Sequence, residues 1–404
     1  MTPEDCDLTH LLAPLDPARF FSEHWERAPL HLERDDPNYY PRFFSLDDLE
    51  RYLLSQSEAE TERVLVVPPP GDERERERCS PADRGPAHFL SSFAQGDTLV
   101  LNQAHRVWPP LAALCARLGE ELSLTARANL YLTPAAGAQG FDVHHDLHDV
   151  LVLQLEGRKR WRLYAPWAEL PLDRPEAGTY DHRPDPFARP EDPGPPRREL
   201  ETKPGDLLYL PRGLPHAAVS ADERPSVHAT VGLHPFTWGD ALHHALRRLE
   251  REDPHLRRAL PPGFLRRPEG FPALAAELRD LAARFAAGLD AEAALAKLDE
   301  LHLASRPFVP ARRAALGAPL TEDSELARRL GLRCAVFRDE DDDAVVLYFG
   351  DNHVRGPAWL EAAFHYVAKH ERLQVRDLPD SLSPRSKLVL ARRLVREGLL
   401  LPVR

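Results

Sequence analysis

Between residues 98 and 238 the apolar positions come in short runs broken by turn residues, and on either side of that stretch they fall at helical spacing. Runs at 98–101, 129–133, 144–156, 160–164, 206–210 and 226–233 predict strands. Gly137, Gly140, Gly157, Pro204-Gly205 and Pro211-Arg212-Gly213 supply the turns between them. Many short strands at this spacing predict a double-stranded barrel or sandwich. A helix is predicted over 108–122, opened by Pro109-Pro110.

The first 60 residues read as helical, with Phe20-Phe21 and Trp25 at helical spacing. Ser45 is a candidate N-cap, with Asp48 at the capping-box position. Residues 68–87, with three consecutive prolines and the charge run 72–78, read as a solvated loop. The Pro/Arg-rich stretch 174–199 reads as an excursion over the barrel surface. After Trp238 the strands stop, and 239–303 has helical apolar spacing. The remainder predicts a hairpin (333–337 and 344–349 about the acidic turn 339–343), then helices at 358–369 and 384–397. A hairpin with helices reads as winged-helix-like. The expected units are therefore 1–238, a catalytic barrel with helical N-terminal elements, then the helical segment 239–305, and the C-terminal module 306–404.

At 404 residues the chain exceeds one ordinary core, and 43% apolar with 29% charged residues is the composition of a soluble globular protein. No run approaches the roughly 18 apolar residues of a membrane span. Met1-Thr2-Pro3-Glu4-Asp5 shows no export signal, so the cytoplasm is the expected location. Cys6, Cys79, Cys115 and Cys334 form no CxxC pair, so neither a disulfide framework nor a thiolate zinc site is expected, which fits a reducing compartment, with Cys115 a small buried residue. The net charge of -12 argues against nucleic-acid binding by the whole surface and favours a basic partner. Arg385, Lys387, Arg392, Arg393 and Arg396, at helical spacing, read as a solvated face, and the acidic turn nearby would repel phosphate.

The most informative segment is Gly140-Phe141-Asp142-Val143-His144-His145-Asp146-Leu147-His148-Asp149. On a strand, residues two apart share a face, so His144 and Asp146 project together. With one more histidine they make the 2-His-1-carboxylate facial triad of non-haem Fe(II) oxygenases, which leaves positions open for a bidentate cosubstrate and dioxygen. Pro204 to His216 reads as a turn, an apolar strand, a tight turn and a histidine on the returning chain, so His216 can arrive opposite the pair. Residue spacing alone leaves the register open, because His148 shares the face of His144 and His145 adjoins it. Asp149 could equally be a surface charge.

Asn129-Leu130-Tyr131-Leu132-Thr133-Pro134, the HxD triplet, Leu153 to Trp161 and the Pro204–His216 stretch together resemble the JmjC-type cupin oxygenases of the ribosomal oxygenase family. Trp25 followed by Pro29-Leu30, Leu101-Asn102 and Trp108-Pro109-Pro110 are similar as well. The resemblance implies a double-stranded β-helix in a mixed α and β chain. It also implies iron held by His144, Asp146 and His216, and the spacing from His144 to Gln154 and Lys159 fits the family register against His145. A basic residue at the position of Lys159 holds 2-oxoglutarate in that family, and Asn129 and Tyr131 match positions lining the same pocket. Burying Lys159 between the outward Arg158 and Arg160 would be costly without an anion, whereas Trp161 and Tyr164 read as core.

The implied chemistry is decarboxylation of 2-oxoglutarate to succinate with net hydroxylation of a C–H bond, and no side-chain acid or base beyond the metal ligands is needed. The implied substrate is arginine or histidine of a ribosomal protein, a basic partner for an acidic enzyme. Gly232 stands where the relatives would carry a small polar side chain, which leaves a peptide or small-molecule substrate open. A cupin metalloenzyme without 2-oxoglutarate, and a winged-helix regulatory protein, are the competing classes. Leu242, Leu246, Leu249, Leu274, Leu278, Leu281 and Phe285 lie at helical spacing between two units that can cover their own cores. A helical homodimer interface is therefore expected, and the resemblance implies the same.

Overall fold

The computed structural model describes residues 5–40, 42–55, 64–69, 72–74, 76–80, 84–135, 137–167, 169–172, 193–304, 319–329, 332–339, 343–350 and 352–403. The strands of the first part are β1 (Leu30–Leu32), β2 (Val64–Val67), β3 (Glu77–Cys79), β4 (Thr98–Leu101), β5 (Thr125–Thr133), β6 (Asp149–Glu156), β7 (Lys159–Leu163), β8 (Arg198–Thr202), β9 (Leu207–Leu210), β10 (His216–Ser220) and β11 (Ser226–His234). They form an antiparallel sheet in the order β1-β9-β6-β11-β5-β4-β2-β3 and a smaller one in the order β10-β7-β8.

In the large sheet β2 and β9 are buried along their whole length and read as unbroken apolar runs, whereas β5 and β11 alternate apolar with polar positions. In β6, Leu151 and Leu153 face the main core, which includes Leu111, Leu114 and Leu118 of the helix Pro109–Leu122. Val150 and Val152 point the other way, packing with Trp161, Leu163, Leu208 and Leu210 between the two sheets. The tight β6–β7 turn requires Gly157, whose φ is +61° and where a Cβ would lie 2.3 Å from the Pro225 carbonyl oxygen.

The N-terminal elements clamp one edge of the large sheet. Arg34, buried, donates to the carbonyls of Leu11, Ala13 and Gly205. Asp48 accepts from the Ser45 amide and hydroxyl, completing the expected box. Trp25 lies beyond the end of its helix, Pro17–Glu23, and stacks on Tyr209.

Several expectations need correction. The stretch 144–156 is not one strand: regular pairing starts at Asp149, and the polar residues before it leave the large sheet to bridge His144 with His216. The 68–87 loop contains the edge strand β3 paired to β2, too short and charged to show as a strand pattern. Its Arg74 is not simply solvated, since it pairs with the fully buried Asp97 at 2.8 Å. The 174–199 excursion lies outside the described residues up to 192, and from Arg198 the chain is strand β8.

Beyond the barrel come the helices Trp238–Glu252, Phe271–Ala287 and Ala291–Ala304. The last part has its own core, including Phe349, Phe364 and Leu394. The hairpin is present as β13 (Cys334–Asp339) and β14 (Ala344–Phe349), after β12 (Glu325–Arg328). Its central acidic residues 340–342 lie outside the described residues. A third strand, β15 (Asn352–Pro357), joins the hairpin, while β16 (Arg372–Gln374) and β17 (Leu400–Pro402) flank β12. The basic helix Pro384–Arg396 does not present all its cations to solvent: Lys387 is buried and bonds Asp380 at 3.0 Å and the Arg376 carbonyl.

Candidate metal centre

Backbone pairing brings the three expected ligands together. His144 and His216 exchange both backbone hydrogen bonds, at 3.1 and 2.7 Å, and the Gly213 amide donates to the Asp146 carbonyl. One ligand atom each from His144, Asp146 and His216 then lies within 4.8 Å of the other two. The Nδ1 of His144 faces the Asp142 carbonyl at 2.9 Å, and that of His216 faces the Leu214 carbonyl at 3.0 Å. A carbonyl only accepts, so each Nδ1 carries the proton and each Nε2 offers a bare lone pair.

The electrostatics suit a cation. Burial, reinforced by His144, lowers the His216 pKa to about 4 against the pull of Asp146, so its ring is neutral. Burial raises the Asp146 pKa, but His216, His148, His144 and His145 outweigh it and hold the carboxyl below its usual range. Two imidazoles and one carboxylate whose ligand atoms converge within 4.8 Å are the donor set of a divalent metal with an open face.

The pocket behind the triad is lined by Lys159, Tyr131, Trp161, Val152, His228 and Thr98, among others. Lys159 and Trp161 face inward on β7, whereas Arg160 and Arg162 face out. Lys159 is 3% exposed, and burial lowers its pKa from 10.5 to about 7. Among the described residues no carboxylate lies within ion-pairing distance of its ammonium, whose nearest recorded aromatic face is Tyr131 at 5.9 Å. Tyr131 stacks on His228 at 4.7 Å. Burial, then Lys159 and His216, keep His228 well below its ordinary pKa, hence neutral.

Asn129 stands apart from the pocket lining; its Oδ1 accepts from the Gln103 amide at 2.8 Å, and its side chain bonds to Tyr131. His145 turns away and meets Trp167 edge-on at 5.7 Å. His148 stacks on His234 at 4.3 Å, and Gly232 makes room for it: a Cβ there would lie 2.6 Å from the ring. Asp149 is no surface charge but fully buried, accepting from the Tyr209 hydroxyl at 2.5 Å.

Sequence reading missed His228, Thr98 and Thr230, and took Trp161 for core alone, although it lines the pocket too. The signal was in β11, where Val227, Ala229, Val231 and Leu233 alternate with Ser226, His228, Thr230 and Gly232. All of these are buried, so the polar face of the strand looks into a site, not into water.

With this geometry in hand, residues 101–241 match the family model of the JmjC domain. They form a JmjC domain. It carries the triad, Lys159, Tyr131 and His228 within the matched range.

The chain is similar to ribosomal oxygenase 1 of Rattus norvegicus, 36% identical over 261 residues, covering 63% of this chain and 42% of that one. Ribosomal oxygenase 2 of the same species is 35% identical over 275 residues (63% and 54%). The bifunctional lysine-specific demethylase and histidyl-hydroxylase NO66 of Dictyostelium discoideum is 33% identical over 244 residues (60% and 45%). The chain thus spans about half the length of the curated relatives it matches. Escherichia coli YcfD, a ribosomal oxygenase solved with cobalt and 2-oxoglutarate, shares the fold around the JmjC domain: TM-score 0.53, 20% identity, 97% of this chain and 99% of that one.

Proposed function

We propose that the chain is an Fe(II)- and 2-oxoglutarate-dependent dioxygenase that hydroxylates a protein side chain, arginine or histidine of a ribosomal protein. One observation carries the reading: a two-histidine, one-carboxylate cluster and a buried lysine with no carboxylate partner among the described residues open into the same pocket. The name and contents of the YcfD structure support the cofactor pair, and the names of the curated relatives support the substrate class.

His144 and His216 would hold iron through their Nε2 atoms, and the Asp146 carboxylate would offset its charge. Bound iron, with 2-oxoglutarate and dioxygen, supplies oxidative decarboxylation to succinate and net oxygen insertion into a C–H bond. The Lys159 ammonium would meet the distal carboxylate of the cosubstrate through a charge-assisted hydrogen bond. Tyr131, stacked on His228, walls that end of the pocket, and Val150, Val152 and Leu210 keep water out. A net charge of -12 suits a basic ribosomal partner.

The test incubates the protein with Fe(II), 2-oxoglutarate and ribosomal proteins under air, with mass spectrometry of the products. One added oxygen on an arginine or histidine is expected, lost in Asp146→Ala. Succinate formation with no oxidised ribosomal residue would overturn the substrate assignment.

The proposal extends to organisation: a catalytic unit 1–238, a helical segment 239–305 that pairs two copies, and a separate winged-helix-like unit 306–404. Leu242 and Leu278 are 49% and 68% exposed on that segment, apolar surface a second copy would cover. The four cysteines, buried and outside any disulfide, suit the reducing cytoplasm. Among the described residues no helix is long and apolar enough to cross a membrane.

A further inference from the structure

At the edge of the large sheet farthest from β1, a second set of metal-ligating side chains converges. Glu77 and Cys79 sit two apart on β3 and so share a face. His88 comes from the helix Pro86–Ala94, which Gly85 admits with a φ of +74°. One ligand atom from each of Glu77, Cys79 and His88 lies within 4.8 Å of the other two.

We propose that Glu77, Cys79 and His88 form a second divalent-cation site, for an ion of the zinc class that accepts a thiolate. The donor set is one sulfur, one imidazole nitrogen and one carboxylate oxygen, which suits tetrahedral zinc with a water in the fourth position. Zinc bonds of about 2.0–2.3 Å place such donors roughly 3.4–3.6 Å apart, so the cluster needs only a small contraction. The Nε2 of His88 is buried and has no hydrogen-bond partner among the described residues, a condition that costs free energy until something accepts its lone pair or proton. Cys79 is 6% exposed, so a thiolate there requires a cation.

Charge closes the account. Arg84 already pairs with Oε1 of Glu77 at 2.5 Å, and the carboxylate retains its second oxygen. Binding a divalent ion would release the Cys79 proton to solvent. The resulting thiolate and carboxylate would then balance the ion, with Arg84 as the outer partner of Glu77. The ion would pin β3, a strand of three residues paired among the described residues to β2 alone, against the helix that follows it. It is a structural clasp, separate from the triad and independent of turnover.

Cobalt distinguishes this site from the triad, because only a sulfur donor gives a thiolate-to-cobalt charge-transfer band in the near ultraviolet. Cobalt(II) titrated into metal-free full-length protein should produce that band. The band should survive in a His144→Ala, Asp146→Ala double variant and vanish in Cys79→Ser. Because Cys79 also packs in the core, His88→Gln, at a half-buried position, provides a second arm: its titration midpoint should rise about tenfold or more. No band in the wild type, a band that persists in Cys79→Ser, or an unchanged midpoint in His88→Gln would overturn the proposal.

Discussion

Replacing Lys159 with methionine should make the protein more stable and its cosubstrate binding worse. The methionine fills nearly the same space, so no cavity confuses the result. Burial takes the lysine from 10.5 to about 7, and at 1.36 kcal/mol per decade this corresponds to about 4–5 kcal/mol of unfavourable free energy near neutral pH. The sign follows from proton linkage: the folded state binds fewer protons, so the penalty is fully present below about pH 7 and fades as pH rises toward 10.5. Recovering even half of it gives about 2 kcal/mol, roughly 4–8 °C in Tm. On the binding side, a lost charge-assisted hydrogen bond of about 1.5–3 kcal/mol raises the KM for 2-oxoglutarate roughly 10- to 150-fold. Calorimetric melting at several pH values and initial rates against 2-oxoglutarate read the two effects separately. A variant less stable than the wild type at neutral pH, with an unchanged KM, would refute the reasoning.

Other residues give independent tests. Gly232→Ala should drive His148 off His234 and cost about 1–3 kcal/mol, seen in urea denaturation, while cobalt binding at the triad stays intact. Tyr209→Phe removes the bond to Asp149 and the one accepted from the Glu26 amide, a loss of about 1.5–3 kcal/mol. Burial already raises the Asp149 pKa to about 6, so its contribution worsens as pH rises from 4 to 6. Losing the Tyr209 bond should extend that decline upward, making the variant's deficit larger near pH 8 than near pH 5. Leu242→Glu should leave a monomer by light scattering whose barrel still binds metal; a wild-type monomer at micromolar concentration would remove the proposed dimer.

The parts most legible in the sequence were those whose chemistry repeats along the chain. The strands at 98–101, 160–164, 206–210 and 226–233 were visible because apolar runs ended at obligatory turns, and Gly157 fixed the one before Lys159. The triad residues were legible, but for an incomplete reason. His144 and Asp146 share a face not because they lie on a long strand but because an irregular segment bridges to His216, and local alternation carries no information about such a crossing. Lys159 was readable as an inward cation between outward arginines. His228 was not, because a polar strand face is the same in sequence whether it meets water or a pocket. Asp149 was unreadable for the opposite reason: the Tyr209 hydroxyl that donates to it is sixty residues away.

The most direct test of the central claim measures succinate from 2-oxoglutarate by the purified protein supplied with Fe(II) under air, beside His216→Ala, which leaves the Lys159 end of the pocket untouched. The account predicts iron-dependent succinate formation by the wild type, abolished by chelation and in His216→Ala. Succinate formed equally by His216→Ala, or by the wild type without iron, would contradict it.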